Sequence, residues 1–172
     1  MKKCWILVLA FLLVGCSKQM PLETLGDTYV QPVMAEQWQL VMDIPLDAGV
    51  QVMESEEAGK LYFCEDYLVA VQTVASGDLS KTFRLVTGYE KDRLEILQTQ
   101  KDGRKRYECV FVSTGEGETL VGRACVLDDG NYHYVITAMA GESVSGELVD
   151  EWNNLFASIR LVEPDAELNS GS

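Results

Sequence analysis

The sequence predicts an α+β domain, an antiparallel sheet of about six to seven strands packed against a short middle helix and a longer C-terminal helix. Three observations predict it. Between residues 94 and 139, β-rich apolar segments alternate with Gly- and Asp-bearing turns about every ten residues, the pattern of an antiparallel meander. Between Asp78 and Gly88 the apolar period changes from two to that of a helix. From residue 147 to 161, Leu148, Trp152, Leu155, Phe156 and Ile159 fall at offsets 0, 4, 7, 8 and 11, a wide apolar stripe at helical period.

Taken in order, Trp38, Leu40, Met42 and Ile44 alternate along a half-buried strand over 38–44, which Pro45 closes. Short strands follow at 50–53 and 61–64, then a longer one at 67–75, rich in Val and Tyr. Asp78 suits a helix N-cap and Gly88 a C-terminal stop, with Leu79, Phe83 and Val86 on one face between them. Strands at 94–100, 105–113, 119–127 and 132–139 make the meander, the last of these being its final strand. Asp102-Gly103, Thr114-Gly115-Glu116-Gly117 and Asp128-Asp129-Gly130-Asn131 form its turns. Glu147, Asp150 and Glu151 crowd the start of the closing helix, where the helix dipole favours negative charge.

The N-terminus reads differently. Met1-Lys2-Lys3 precedes an apolar run over 4–15, about half of the ~20 residues a membrane-spanning helix needs. A basic start, a short apolar run and a small residue at the cut are the parts of a secretory signal. Leu13-Val14-Gly15-Cys16 resembles the bacterial lipobox. The resemblance implies signal cleavage between Gly15 and Cys16 and diacylglycerol on the Cys16 thiol. Two acyl chains hold a protein at a bilayer, at about 0.8 kcal/mol per buried methylene. The chain thus divides into a signal peptide (1–15), a flexible tether (16–36), the domain (37–162) and a disordered tail (163–172). The location implied is the cell envelope, lipid-anchored on the extracytoplasmic side.

Without Lys2 and Lys3, 12 basic residues face 27 acidic ones, a formal charge of −15. Nucleic acid is excluded as a partner on this balance, because affinity for it rests on Lys and Arg at phosphates. Six of the 12 lie between Lys91 and Arg106. They read as a solvated pair of turns or, more sharply, as a contact patch of Lys101, Arg104, Lys105 and Arg106 for an anionic partner. Cys64, Cys109 and Cys125 remain once Cys4 and Cys16 are set aside. Cys109 and Cys125 fall on adjacent strands, so they either pair or stand as small buried residues; no CxxC spacing suggests zinc. His133 sits in an apolar strand with no nucleophile elbow in the sequence, and reads as a packed histidine. Asp128-Asp129-Gly130-Asn131 lacks the distal Glu of a calcium loop and reads as a turn. No catalytic residue, metal site or cofactor is assigned beyond the lipid on Cys16.

The order of elements resembles the PsbP-like group of α+β domains, which includes DcrB-like bacterial lipoproteins. The points of likeness are the opening strand closed by Pro45, the Gly77-Asp78-Leu79 to Gly88 segment, and Trp152-Asn153-Asn154-Leu155-Phe156-Ala157-Ser158-Ile159. Together they span residues 36–162. Members act mostly by binding, to a photosystem, a small GTPase or partners not yet known, and no motif fixes a functional residue here. The leading reading is a non-enzymatic envelope module, held to the membrane by lipid, that binds a protein or envelope partner. The alternative is a hydrolase or small-ligand-binding protein using acidic residues in a sheet–helix cleft.

Overall fold

The computed structural model describes residues 36–44, 51–55, 59–101, 103–114 and 117–163. The readings placed on residues 1–35, Gly15 and Cys16 among them, and on the tail from 164 lie outside the described residues. β2 (Gln51–Ser55), β3 (Gly59–Phe63) and β4 (Tyr67–Ala75) form one antiparallel run. β5 (Leu97–Lys101), β6 (Arg104–Thr114), β7 (Thr119–Asp128) and β8 (Tyr132–Gly141) form a second. The runs join where β4 pairs with β8, from Tyr67 opposite Ala140 to Ala75 opposite Tyr132. The result is a seven-stranded antiparallel sheet of order β2-β3-β4-β8-β7-β6-β5. The β7–β8 turn is held by its own side chains: Asp128 Oδ1 accepts from Gly130 N at 2.8 Å, and Asp129 Oδ1 accepts from Tyr132 N at 2.7 Å. Gly130 supplies a φ of 93° there.

Helix α1 (Leu79–Thr87) begins as its sequence predicts. Asp78 Oδ1 accepts from Ser80 N at 2.9 Å, and Gly88 closes the helix with a φ of 78°. A single 3-10 turn, Lys91–Arg93, then leads to the β5 edge. Phe83 seals the back face of the sheet against Tyr107, Cys109, Phe111, Ala124, Val126 and Val135. The front face takes α3 (Val149–Ser158), preceded by the short α2 (Glu142–Ser145). Trp152, Leu155 and Phe156 of α3 pack there on Tyr67, Val69, Cys125, Ile136 and Ala138. Because both faces are covered, β8 is buried along almost its whole length rather than at alternate positions.

Two expectations change at the C-terminus. The long helix ends at Ser158, not at 161, and β8 is not the last strand. Ile159 leaves helical geometry with a ψ of 124°, and β9 (Arg160–Val162) follows. β9 pairs antiparallel with β1 (Gln39–Val41), so the first predicted strand is shorter than 38–44 and stands outside the main sheet. The alternation of Trp38, Leu40, Met42 and Ile44 is still used, since all four pack on the front core. Backbone groups at 160–162 find partners in β1 that a further helical turn would forgo.

Cys109 and Cys125 lie on adjacent strands but on opposite faces. Cys109 stands opposite Ala124 and Glu108 opposite Cys125, so the two thiols are one residue out of step. Strand side chains alternate with period two, which sends Cys109 to the back core and Cys125 to the front. Both are free, so the pairing alternative falls. Among the described residues, every buried core residue lies in one compact unit that begins at Gln37.

Candidate functional site

The basic residues of 101–106 are drawn mostly toward the end of α3. Lys101 Nζ donates to Ala157 O at 3.3 Å and Ile159 O at 3.5 Å. The Arg104 guanidinium lies 3.8 Å from the centre of the Trp38 ring. Arg106, only 6% exposed, donates from Nη2 to Phe156 O at 2.6 Å and from Nη1 to Ile159 O at 3.5 Å. Lys105 points to the other face and is exposed. The four therefore do not share one exposed face. Three of them serve the carbonyls and the dipole at a helix C-terminus or hold the β1 segment.

Arg106 also begins a row that crosses the front face. It donates from Nε to Glu108 Oε1 at 2.7 Å, and Arg123 donates from Nη2 to Glu108 Oε2 at 2.8 Å. Arg123 Nη1 donates to Asn153 Oδ1 of α3 at 2.8 Å, while its guanidinium stacks 4.4 Å from the centre of the Phe156 ring. Burial by itself pushes the Glu108 carboxyl up, but hydrogen bonds from Arg123 and Arg106 outweigh it and hold the group below its ordinary value.

Beyond this row the front face is apolar and open. Leu97 and Val110 are each 62% exposed and Val149 is 53% exposed. With Val121, Arg123 and Trp152 they line a groove of about 510 Å³ between the first turn of α3 and strands β5–β7. It exists because α3 runs from Val149 near Val121 to Phe156 at Arg106, leaving the β6 segment around Val110 and Val112 without a cover. Trp152 is 5% exposed, and its indole Nε1–H has no hydrogen-bond partner among the described residues. Single exposed aliphatic residues are ordinary; these three stand out because they line one groove.

A second constellation sits on the back face. Thr82 Oγ1 of α1 lies 2.7 Å from His133 Nδ1, and His133 Nε2 lies 4.0 Å from Asp128 Oδ1. Hydroxyl, imidazole and carboxylate in that order resemble a nucleophile relay. A nucleophile must meet substrate, however, and Thr82 is 6% and His133 1% exposed beneath α1. What the pair does in this position is pin the helix to β8. We expect Thr82→Val to cost about 1–3 kcal/mol, since His133 Nδ1 would be left buried and unpaired. Thermal melts of the two chains check this; an unchanged midpoint would remove the pin. Among the described residues no three His, Cys, Asp or Glu side chains converge on a common point. Burial pushes the Cys109 thiol up to about 11 and the Cys125 thiol up to about 12, which leaves neither a ready nucleophile.

Sequence reading missed the groove and the row beside it. The alternation of Arg106, Glu108 and Val110 on one strand face was the available signal, but nothing in the sequence says how far along that face α3 extends.

No family model and no curated protein sequence matches the chain. Solved structures that resemble it include LpqN of Mycobacterium tuberculosis, described as involved in cell envelope biogenesis, at 12% identity and TM-score 0.48 over 75% of this chain and 87% of that one. A protein of Bacteroides thetaiotaomicron VPI-5482 matches at 12% identity and TM-score 0.50 over 73% of this chain, which spans 46% of that protein. Cyanobacterial PsbP (CyanoP) of Synechocystis sp. PCC 6803 matches at 11% identity and TM-score 0.49 over 83% of this chain and 100% of that one. At these identities the likeness is one of fold.

Proposed function

We propose that the chain is an exported bacterial lipoprotein, cut after Gly15 and lipidated on Cys16, whose α+β domain is a non-enzymatic module that binds a protein partner in the envelope. The open aliphatic groove of Leu97, Val110 and Val149 is the observation that carries the binding reading. The basic start, short apolar run and Leu13-Val14-Gly15-Cys16 support the anchor. Of the two carboxylates that line the groove, Glu95 and Glu108, the latter supports binding over acid chemistry. Glu108 is held ionised by two arginines, whereas a general acid needs its pKa raised toward the working pH.

Two measurements test this. Cys16→Ser should reduce labelled palmitate incorporation to background and leave the Gly15–Cys16 bond uncut; acylation at the parent level would sink the anchor. A photo-crosslinking residue at Val110 should trap one discrete protein in intact envelopes, and the same residue at Lys81 should not. Equal adducts from both positions, or none from Val110, would count against the binding face.

A further inference from the structure

The geometry points to the chemistry of the segment that fills the groove, on the reading that the domain is a binding module. We infer that it takes an extended stretch of a partner protein in which aliphatic side chains are flanked by lysine or arginine. Leu97, Val110, Val121 and Val149 offer only methyl groups to an occupant, so the central side chains are aliphatic. The outer wall is built from Ser145, Gly146, Val149 and Asn153, in a segment whose only charged residues are acidic. From Glu142 to Ile159 the chain has no Lys or Arg, and Glu142, Glu147 and Asp150 are exposed along it. Glu95 lines the opposite side, exposed and without an ion pair among the described residues. The cations at the inner end are already engaged: Arg123 by Glu108 and Asn153, Arg106 by Glu108 and the carbonyls of α3. Basic side chains of the segment therefore belong at the outer rim, where charge complementarity guides encounter and orientation. Trp152 supplies a further mark. Its ring lines the groove, its indole N–H has no acceptor among the described residues, and the backbone carbonyls of an extended segment are acceptors.

The probes are three synthetic peptides: acetyl-Lys-Leu-Val-Leu-Lys-amide, its counterpart with Glu for Lys, and its counterpart with Ser for the aliphatic residues. Each is titrated into the chain from residue 17 on, which retains every core residue among those described, while the Trp152 indole N–H signal is followed by NMR. The basic aliphatic peptide should move that signal in a saturable way, and both counterparts should bind at least tenfold more weakly. Val110→Asp changes an exposed residue and should keep the parent melting temperature while weakening the peptide at least tenfold. Equal response to the acidic and basic peptides, no response, or a response indifferent to Val110→Asp overturns the inference. So does a Trp152 signal that moves with the chain's own concentration, which means a second copy fills the groove, or one that moves with palmitate but not with peptide. Failure here alongside a discrete Val110 adduct in envelopes would leave the binding-module reading standing with a different partner chemistry.

Discussion

Arg106→Met should lower the melting temperature by roughly 10 °C. Arg106 is 6% exposed, and its guanidinium has three partners: Phe156 O, Ile159 O and Glu108 Oε1. Removing one member of a buried charged pair strands the other, at about 3–5 kcal/mol. Glu108 keeps Arg123, so the lower end, about 3 kcal/mol, applies, and at this chain length each kcal/mol is worth about 2–4 °C. The Phe156 carbonyl of α3 loses its side-chain donor in the same step, while Lys101 still serves Ala157 and Ile159. Arg106→Lys should recover only part of the loss, because an ammonium cannot serve Glu108 and the helix end with one planar fork.

The same substitution carries a pH signature. The pKa of Glu108 is depressed in the folded chain against an unfolded value of about 4.3. Its contribution is therefore fully present above that unfolded value and is lost as pH falls through the depressed folded value. Melts between pH 3 and 7 should show the parent chain losing part of its margin over Arg106→Met toward the acid end. A gap that stays constant over this range would mean that the ion pair is not what Arg106 contributes.

Phe83→Ala should cost about 3–4 kcal/mol, within the usual range for emptying a buried phenylalanine site. Phe83 is wholly buried, and α1 spans only nine residues, too short to hold its helix without packing. Its other buried residues, Thr82 and Thr87, are small, and neither can refill the space. Amide exchange should quicken first across Leu79–Thr87 and the back-face positions it covers, while α3 stays protected until global unfolding. Uniform quickening in α1 and α3 together would show that the two faces do not unfold separately.

Much of the fold was legible because it rests on local chemistry. Asp78 and Gly88 bound α1 since a cap oxygen and a left-handed glycine act within one turn. The meander strands fell within a few residues of their predicted ends because Gly and Asp turns punctuate them. The end of α3 was not legible. Ile159 and Leu161 continue an apolar pattern that suits helix or strand, and only β1, more than a hundred residues earlier, decides for β9. The join of β4 to β8 is equally non-local, and it buries β8 on both faces.

The groove was not legible, and the basic run beside it was legible in its residues but not in its arrangement. The basic run from Lys101 to Arg106 suits either solvated turns or a contact patch in the sequence, because charge density there carries no depth. Strand alternation sends Arg106 to the front face, and there it meets the carbonyls of a helix that the run itself does not announce. By itself the sequence determined the acidic balance, the α+β class and the ends of the meander strands. Only the tertiary structure decided that the thiols of Cys109 and Cys125 face apart, that three basic residues serve α3 and β1, and that the strip by Val110 stays open. Each of those depends on which surface a distant helix covers and where it stops, and burial, not local preference, decides that.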